Sequence, residues 1–506
     1  MCLHSTPVPQ PRPLPSTPTS PAKGLSAQQR QRLAVHALAG TTALSRLAQE
    51  HDVSRKFVYH QADKAQQALN DAFGPDVPEE RVLFTLPVTK AFLRQTVLGL
   101  VLICHSSFRG AAEFLRDLWD YPLSLGSVAN IVHQAVAPAR AHNDRHDLSA
   151  LRVGAHDEIF QAGQPVLVGV CAESGYCYLL SQEEHRDADT WGVRLLELSE
   201  RGFRPEATIA DAAAGLRAGQ QAALPAVPCR GDVFHALREM QQVVGLLEER
   251  AYQAMAGRTR LEQRQARPGK RRDRDKLSLA QQLRYARPAE AQAVTLAQDV
   301  ALLARWLRED ILSVSGPEYA HRLVLFDFVT EELKRREAQG GERLRALRQY
   351  LENQREPLLA FVAALDADVT KVATAYAVPE AVVREVLRVQ GLPEERTQHW
   401  RAEAALRQRL RGRYHAVSKA VSEAVGRVVR ASSMAENLNS RLRGYFFLRR
   451  ELGAGYLSLL QFFLNHRRCQ RSHQAGREGK NPAELLSGQA HPHWLELLGY
   501  QRFERN

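Results

Sequence analysis

A chain of 506 residues with 44% hydrophobic side chains can fill roughly three packed domains. Its 68 Lys and Arg outnumber 56 Asp and Glu to leave a formal charge of +12, which points to a polyanionic partner, nucleic acid first, because phosphate contacts supply most non-specific affinity. Six cysteines without CxxC spacing argue against a zinc ribbon or a disulfide framework, and the longest apolar run, VLGLVLIC at 97–104, is too short to cross a bilayer, so the expectation is a cytoplasmic, nucleoid-associated protein with no membrane partner.

Residues 1–25, rich in Pro, Ser and Thr, lack the apolar centre of a signal peptide and read as a disordered leader. Residues 26–80 read as a helix-turn-helix. SAQQRQRLAVHAL forms one helix, ALSRLAQEH a short second, and Ser54 caps a third that begins RKFVYH. Leu44, Leu47, Ala48, Val53, Val58 and Ala62 have the spacing of a small three-helix core. Arg55, Lys56, Tyr59 and His60 then fall at the start of the last helix, where a recognition helix meets base edges and phosphates. A second helical module spans 84–148; it is either another DNA-binding unit or a brace.

From 149 the period changes. LRVGAHDEIF, PVLVGVCAES and YCYLLSQ read as three consecutive antiparallel strands, followed by a helix, the short strand EATIAD and another helix. Three antiparallel strands and then alternating helices and strands predict a mixed α/β sheet over 149–250. Residues 251–430 lose strand character and predict an all-α insertion. It opens with a basic stretch, GRTRLEQRQARPGKRRDRDK, in which Arg271 and Arg272 are candidate DNA contacts. It also carries Trp306 and Trp400, which are either core residues or surfaces on which a base stacks. Residues 431–470 hold two more helices, and 471–506 an irregular tail.

Three acids lie at the ends of these segments. Asp157 closes the first strand, Asp211 follows the fourth, and Glu436 opens the helix MAENLNSRLRGYFFLRR. Hard divalent cations take oxygen ligands, usually one or two carboxylates together with substrate phosphate, so the three are candidate metal ligands and catalytic residues. Strand alternation sends Asp157 and Glu158 to opposite faces, and Asp157 is the choice. Asp232 and His235, in GDVFHALR, are possible accessories, as is Asn439. Arg441 and Arg443 are candidate DNA contacts on the same helix as Glu436.

The order strand-strand-strand-helix-strand, with Asp157 in the first strand and Asp211 after the fourth, resembles an RNase H-like, retroviral-integrase-like core. Glu436 in AENLNSRLRG and the stretch GDVFHALR are similar to segments of bacterial insertion-sequence DDE transposases. The resemblance implies an α/β RNase H-like catalytic core, a mixed five-stranded sheet, interrupted by a large all-α insertion and preceded by the helix-turn-helix. It further implies two Mg2+ or Mn2+ ions on Asp157, Asp211 and Glu436, cleavage and strand transfer on double-stranded DNA (terminal inverted repeats and target DNA), and a homodimer in a synaptic complex. A non-catalytic DNA-binding regulator derived from a transposase and a structure-specific metal-dependent nuclease are the alternatives. The wide gap between Asp211 and Glu436 departs from compact members of the family. The triad therefore requires the insertion to loop out and return.

Overall fold

The computed structural model describes residues 24–74, 84–267, 273–449, 453–472 and 476–503. Most of the expected leader lies outside these, as do Arg271 and Arg272. The chain divides into two compact units, one ending at Pro87 and the other spanning Val88–Glu504.

The first unit is three helices, α1 (Ala27–Ala39), α2 (Leu44–Glu50) and α3 (Arg55–Phe73). Ser26 and Gln29 form a reciprocal capping box on α1, and Gly40 ends it in the left-handed region at φ 64°. Ser54 caps α3 by accepting from the Phe57 nitrogen at 3.1 Å. Leu33, Leu47, Ala48 and Val58 are buried at the centre, with Leu44 and Val53 packed beside them. Arg55, Lys56, Tyr59 and His60 are all exposed on α3.

The second unit begins with α4 (Lys90–Leu102), α5 (Phe108–Trp119), α6 (Leu125–Gln134) and α7 (Val136–Arg145). The sheet strands are β1 (Val153–Gln161), β2 (Gln164–Cys171) and β3 (Cys177–Gln182), then β4 (Ala207–Ala210) after α8 (Ala188–Glu200), and β5 (Cys229–Gly231) after α9 (Ala214–Ala223). The order across the sheet is β3-β2-β1-β4-β5. The first three strands are antiparallel, whereas β4 runs parallel to β1 and β5 parallel to β4. The chain is thus mixed α/β, with one mixed five-stranded sheet.

Residues from α4, α5, α6 and α7 share one continuous core with the inward face of β1, β2 and β3. The helices α4–α7 thus belong to the same compact unit as the sheet and pack on it. The opposite face packs against α8 and α9 through Trp191, Leu195 and Leu216, with Phe203 of the following loop beside them.

The helical region starts earlier than its sequence boundary at 251. The helix α10 (Val233–Ala266) already contributes Val233, Ala236 and Met240 to the helical core. Nothing interrupts the helix at 250–251, since α10 runs unbroken from Val233 to Ala266. Then follow α11 (Asp273–Trp306), a π-helical turn at Leu307–Ile311, α12 (Tyr319–Arg335), α13 (Glu337–Gly340), α14 (Glu342–Asn353), α15 (Arg355–Tyr376), α16 (Glu380–Gln390), α17 (Thr397–Leu410) and α18 (Tyr414–Gly426). The first two pack as a hairpin, in which Arg258 pairs with Glu262 at 3.3 Å and also with Glu290, so part of the basic stretch is engaged in ion pairs. Buried Arg322 donates to the carbonyls of Ile311, Ser313, Val314 and Pro317 and fixes the chain after the π turn.

This helical region sits against the sheet edge. A Cβ on Gly231 would lie 3.0 Å from the Leu358 nitrogen, so a side chain there would press α15 away from β5 by a few tenths of an ångström. The chain then returns through α19 (Ser433–Phe447) and α20 (Gly453–His466), which fill the core of the α4–α7 face, and ends with α21 (Pro482–Ser487) and α22 (Trp494–Leu497). Among the described residues no helix is long and apolar enough to cross a membrane.

Candidate active site

Strand register brings the first two acids together. Ala155 of β1 pairs with Ile209 of β4 in parallel, and Asp157 and Asp211 each follow two residues later. In parallel strands equal offsets end side by side, so both carboxylates emerge at the same end of the sheet. The pairing of Ala210 with Gly231 extends the row to Asp232 at the end of β5.

Glu436 arrives from the first turn of α19. Asp157, Asp211, Asp232, His235, Glu436, Asn439 and Arg443 all line one cavity of about 180 Å³. Placement on α19 explains this, since residues three and four apart share a helix face. Asn439 follows Glu436 by three positions, and its amide donates to the Asp157 carboxylate at 2.7 Å. The other Asp157 oxygen accepts from the Glu158 nitrogen at 2.8 Å.

Burial pushes the Asp157 carboxyl up to about 7, opposed by the Glu158 N–H and reinforced by the negative charges of Asp211, Glu436 and Asp232. The same concentration of charge reaches Tyr350, whose phenol is raised well above its usual range by burial and then by Asp232 and Asp211. Such a site favours a cation, because one divalent ion offsets both the desolvation and the mutual repulsion.

Among the described residues, however, no three His, Cys, Asp or Glu side chains converge as a ready ligand cluster. Each acid is satisfied by a protein donor instead. Asp211 accepts from the Ala213 nitrogen at 2.9 Å, and Glu436 pairs with Arg238 at 3.2 Å. The donors available are carboxylate oxygens, the chemistry that hard ions such as Mg2+ and Mn2+ prefer. The residues therefore fit such an ion by type and by shared cavity.

The remaining sequence candidates separate. Glu158 borders the cavity but its carboxylate is engaged on the opposite face, where Trp191 donates at 3.0 Å and Arg186 at 2.8 Å. Asp232 is buried; one oxygen caps α10 by accepting from the Phe234 and His235 nitrogens at 2.8 and 3.1 Å, and the other accepts from Ser432. Its carboxylate is thus consumed by structure. His235 lines the cavity and contacts Arg238 through Nδ1 at 3.0 Å. Arg443 lines the cavity, whereas Arg441 lies toward Arg467, Cys469 and Cys177. Trp306 lies against Phe328 with ring centroids 5.6 Å apart, and exposed Trp400 donates to the Glu394 carbonyl at 2.7 Å.

Two arginines were not among the sequence candidates. Arg217 donates to the carbonyls of Asp211 and Ala210 at 2.9 and 3.2 Å and so holds the end of β4. Nothing in its sequence surroundings marks it. Arg238, which engages Glu436, follows His235 by three residues in GDVFHALR, and helical spacing from that histidine is the signal that finds it. A larger cavity, about 530 Å³, adjoins the site through Asp211 and His235 and extends between α10 and α14 past Tyr350 and Arg343.

No family model matches the chain, and no curated protein matches it.

Proposed function

We propose that this protein is a DDE-type transposase with an RNase H-like core, acting on double-stranded DNA at the ends of a mobile element. The observation that carries the reading is the cavity shared by Asp157, Asp211 and Glu436, assembled from the middle of β1, the end of the parallel strand β4 beside it and a helix that follows a long helical excursion. The strand order, with three antiparallel strands followed by two parallel ones on the far side of β1, supports the same reading.

Asp157, Asp211 and Glu436 would hold two Mg2+ or Mn2+ ions, which when bound activate an attacking oxygen and stabilise a leaving one at phosphorus. Asn439 orients the Asp157 carboxylate. Arg217 fixes the backbone that carries Asp211. Arg238 holds Glu436 and brings a guanidinium to the edge of the cavity, where a scissile phosphate would meet a fixed positive charge. Water and the 3′-hydroxyl of the cut strand are the two successive nucleophiles, so no covalent link to the protein is needed. The three-helix unit would bind the terminal inverted repeats, and pairing of two ends would require a homodimer. The setting would be the cytoplasmic nucleoid.

The test is cleavage and strand transfer on element-end DNA with Mg2+ or Mn2+. Asp157→Ala, Asp211→Ala and Glu436→Ala should each abolish both steps while leaving end binding intact. Full activity in all three variants would remove the metal-site assignment.

A further inference from the structure

A second cleft opens beside the acid cavity. It measures about 320 Å³ and lies between the end of β1 and the end of α19, lined among others by Phe160, Arg443, Phe446 and Phe447. Glu158 and Arg443 border both cavities, so the two adjoin. Phe447 is 91% exposed and Phe160 52% exposed. Single exposed aromatics are common, but two flanking one cleft form a patch that calls for an occupant.

Phe447 is not a frayed helix end. The Gln161 amide donates to the Phe446 carbonyl at 3.1 Å and to that of Arg449. The Arg449 guanidinium in turn lies over the rings of Tyr456 and Phe108, 3.7 and 4.2 Å from their centroids. The chain on both sides of Phe447 is held while its ring is presented to solvent. The cleft's rim is cationic. Arg186 lies 5.3 Å from the Phe160 ring centroid and neutralises Glu158 at 2.8 Å, and Arg443 stands on the other wall.

Exposed rings between guanidiniums form the surface that stacks bases and tracks a phosphate backbone without reading sequence. We propose that the Phe160–Phe447 cleft is a stacking site for an unpaired nucleotide of the DNA strand that leaves the acid cavity. This rests on the reading of the acid cavity as a site of DNA cleavage. An anionic single strand fits the cationic rim and the position beside that cavity.

The experiment uses the full-length chain in EDTA and measures fluorescence anisotropy with two probes, a blunt duplex and the same duplex carrying a short single-stranded extension. Wild type should prefer the extended probe. Phe160→Ala and Phe447→Ala should each weaken it roughly tenfold, ~1.4 kcal/mol, and leave the blunt duplex unchanged. Phe447→Tyr should keep the preference. In Phe447→Trp the new indole should be quenched by the extended probe alone. Equal wild-type affinity for both probes, or a preference that survives the double alanine variant, overturns the stacking site. So does a dimer that dissociates on Phe447→Ala, which would give the cleft to a second copy. Metal-dependent cleavage with an unchanged probe preference removes this inference alone, whereas absence of cleavage removes the proposed function.

Discussion

Ser432 donates to one carboxylate oxygen of Asp232 from its backbone nitrogen, at 3.3 Å, and from its hydroxyl, across 200 positions of chain. Beside this pair the Val233 nitrogen donates to the Arg430 carbonyl at 3.0 Å. The helical region therefore leaves and re-enters the sheet domain through a hydrogen-bonded neck. Glu436 follows that neck by one turn of helix, so the clasp sets where its carboxylate stands.

The first prediction separates structure from chemistry at Asp232. Removing its side chain deletes the cap of α10, a loss of about 0.5–2 kcal/mol, and leaves buried Ser432 without its acceptor, a further ~1–3 kcal/mol. Asp232→Ala should lower the thermal midpoint and open the neck to limited proteolysis, and Ser432→Ala should do so to a smaller degree. Asp157→Asn should abolish cleavage with no such loss. An Asp232→Ala protein of unchanged thermal midpoint that cannot cut DNA would make Asp232 a ligand and refute the clasp.

Asn439 is expected to act through Asp157. Groups that orient a metal ligand are typically worth 10–100-fold in metal affinity or activity. Asn439→Ala should raise the Mn2+ concentration needed for half-maximal cleavage by about that factor and leave affinity for element-end DNA unchanged. Direct titration of Mn2+ by calorimetry gives a second readout. An unaltered metal titration would reduce Asn439 to packing.

The sequence exposed the acids because their local signals are strong. Asp211 follows an apolar run at which β4 stops, Asp157 is the acid inside the run that forms β1, and Glu436 opens an amphipathic helix. Their convergence was not local information, since it depends on the parallel register of Ala155 with Ile209 and on the Asp232–Ser432 neck. Asp232 itself showed the limit of residue type as a guide. An acid at a strand end followed by a helix is written alike whether it binds a cation or caps the helix, and only burial and partners separate the two. The placement of α4–α7 was ambiguous for a similar reason. An apolar helical face does not say which surface covers it.

Acid pH should destabilise the fold through its buried histidines. His466 is held at about 3 by burial, with His142, His146 and His491 adding positive charge around it. Burial likewise lowers His156 to about 3. A base whose folded value is depressed contributes full stability above its unfolded value near 6.5. That contribution is lost as pH falls toward the folded value, at up to about 1.4 kcal/mol per pH unit for each group. Asp157 has the opposite sign, because its raised carboxyl takes up a proton earlier in the fold than in the unfolded chain. Denaturant midpoints measured in EDTA between pH 4 and 6.5 should therefore fall with pH in wild type. The dependence should be shallower in His466→Gln by about one proton and steeper in Asp157→Asn. Parallel profiles in all three would refute these assignments.

The three-helix unit yields the last prediction. Arg55, Lys56, Tyr59 and His60 are exposed at the start of α3, while Val58 between them is fully buried and anchors the helix. Side chains in that setting can be truncated without disturbing the core. If α3 enters a DNA groove, Arg55→Ala or Lys56→Ala removes a phosphate contact and should weaken binding across sequences, reducing the slope of log affinity against log salt by about 1 each. Tyr59→Ala and His60→Ala should instead erode discrimination between element-end and unrelated duplexes while leaving the salt slope near wild type. Anisotropy titrations over a range of salt, with both duplexes, distinguish the two classes. End binding that persists after removal of residues 26–70 would assign recognition to the second unit and leave α3 without a DNA role.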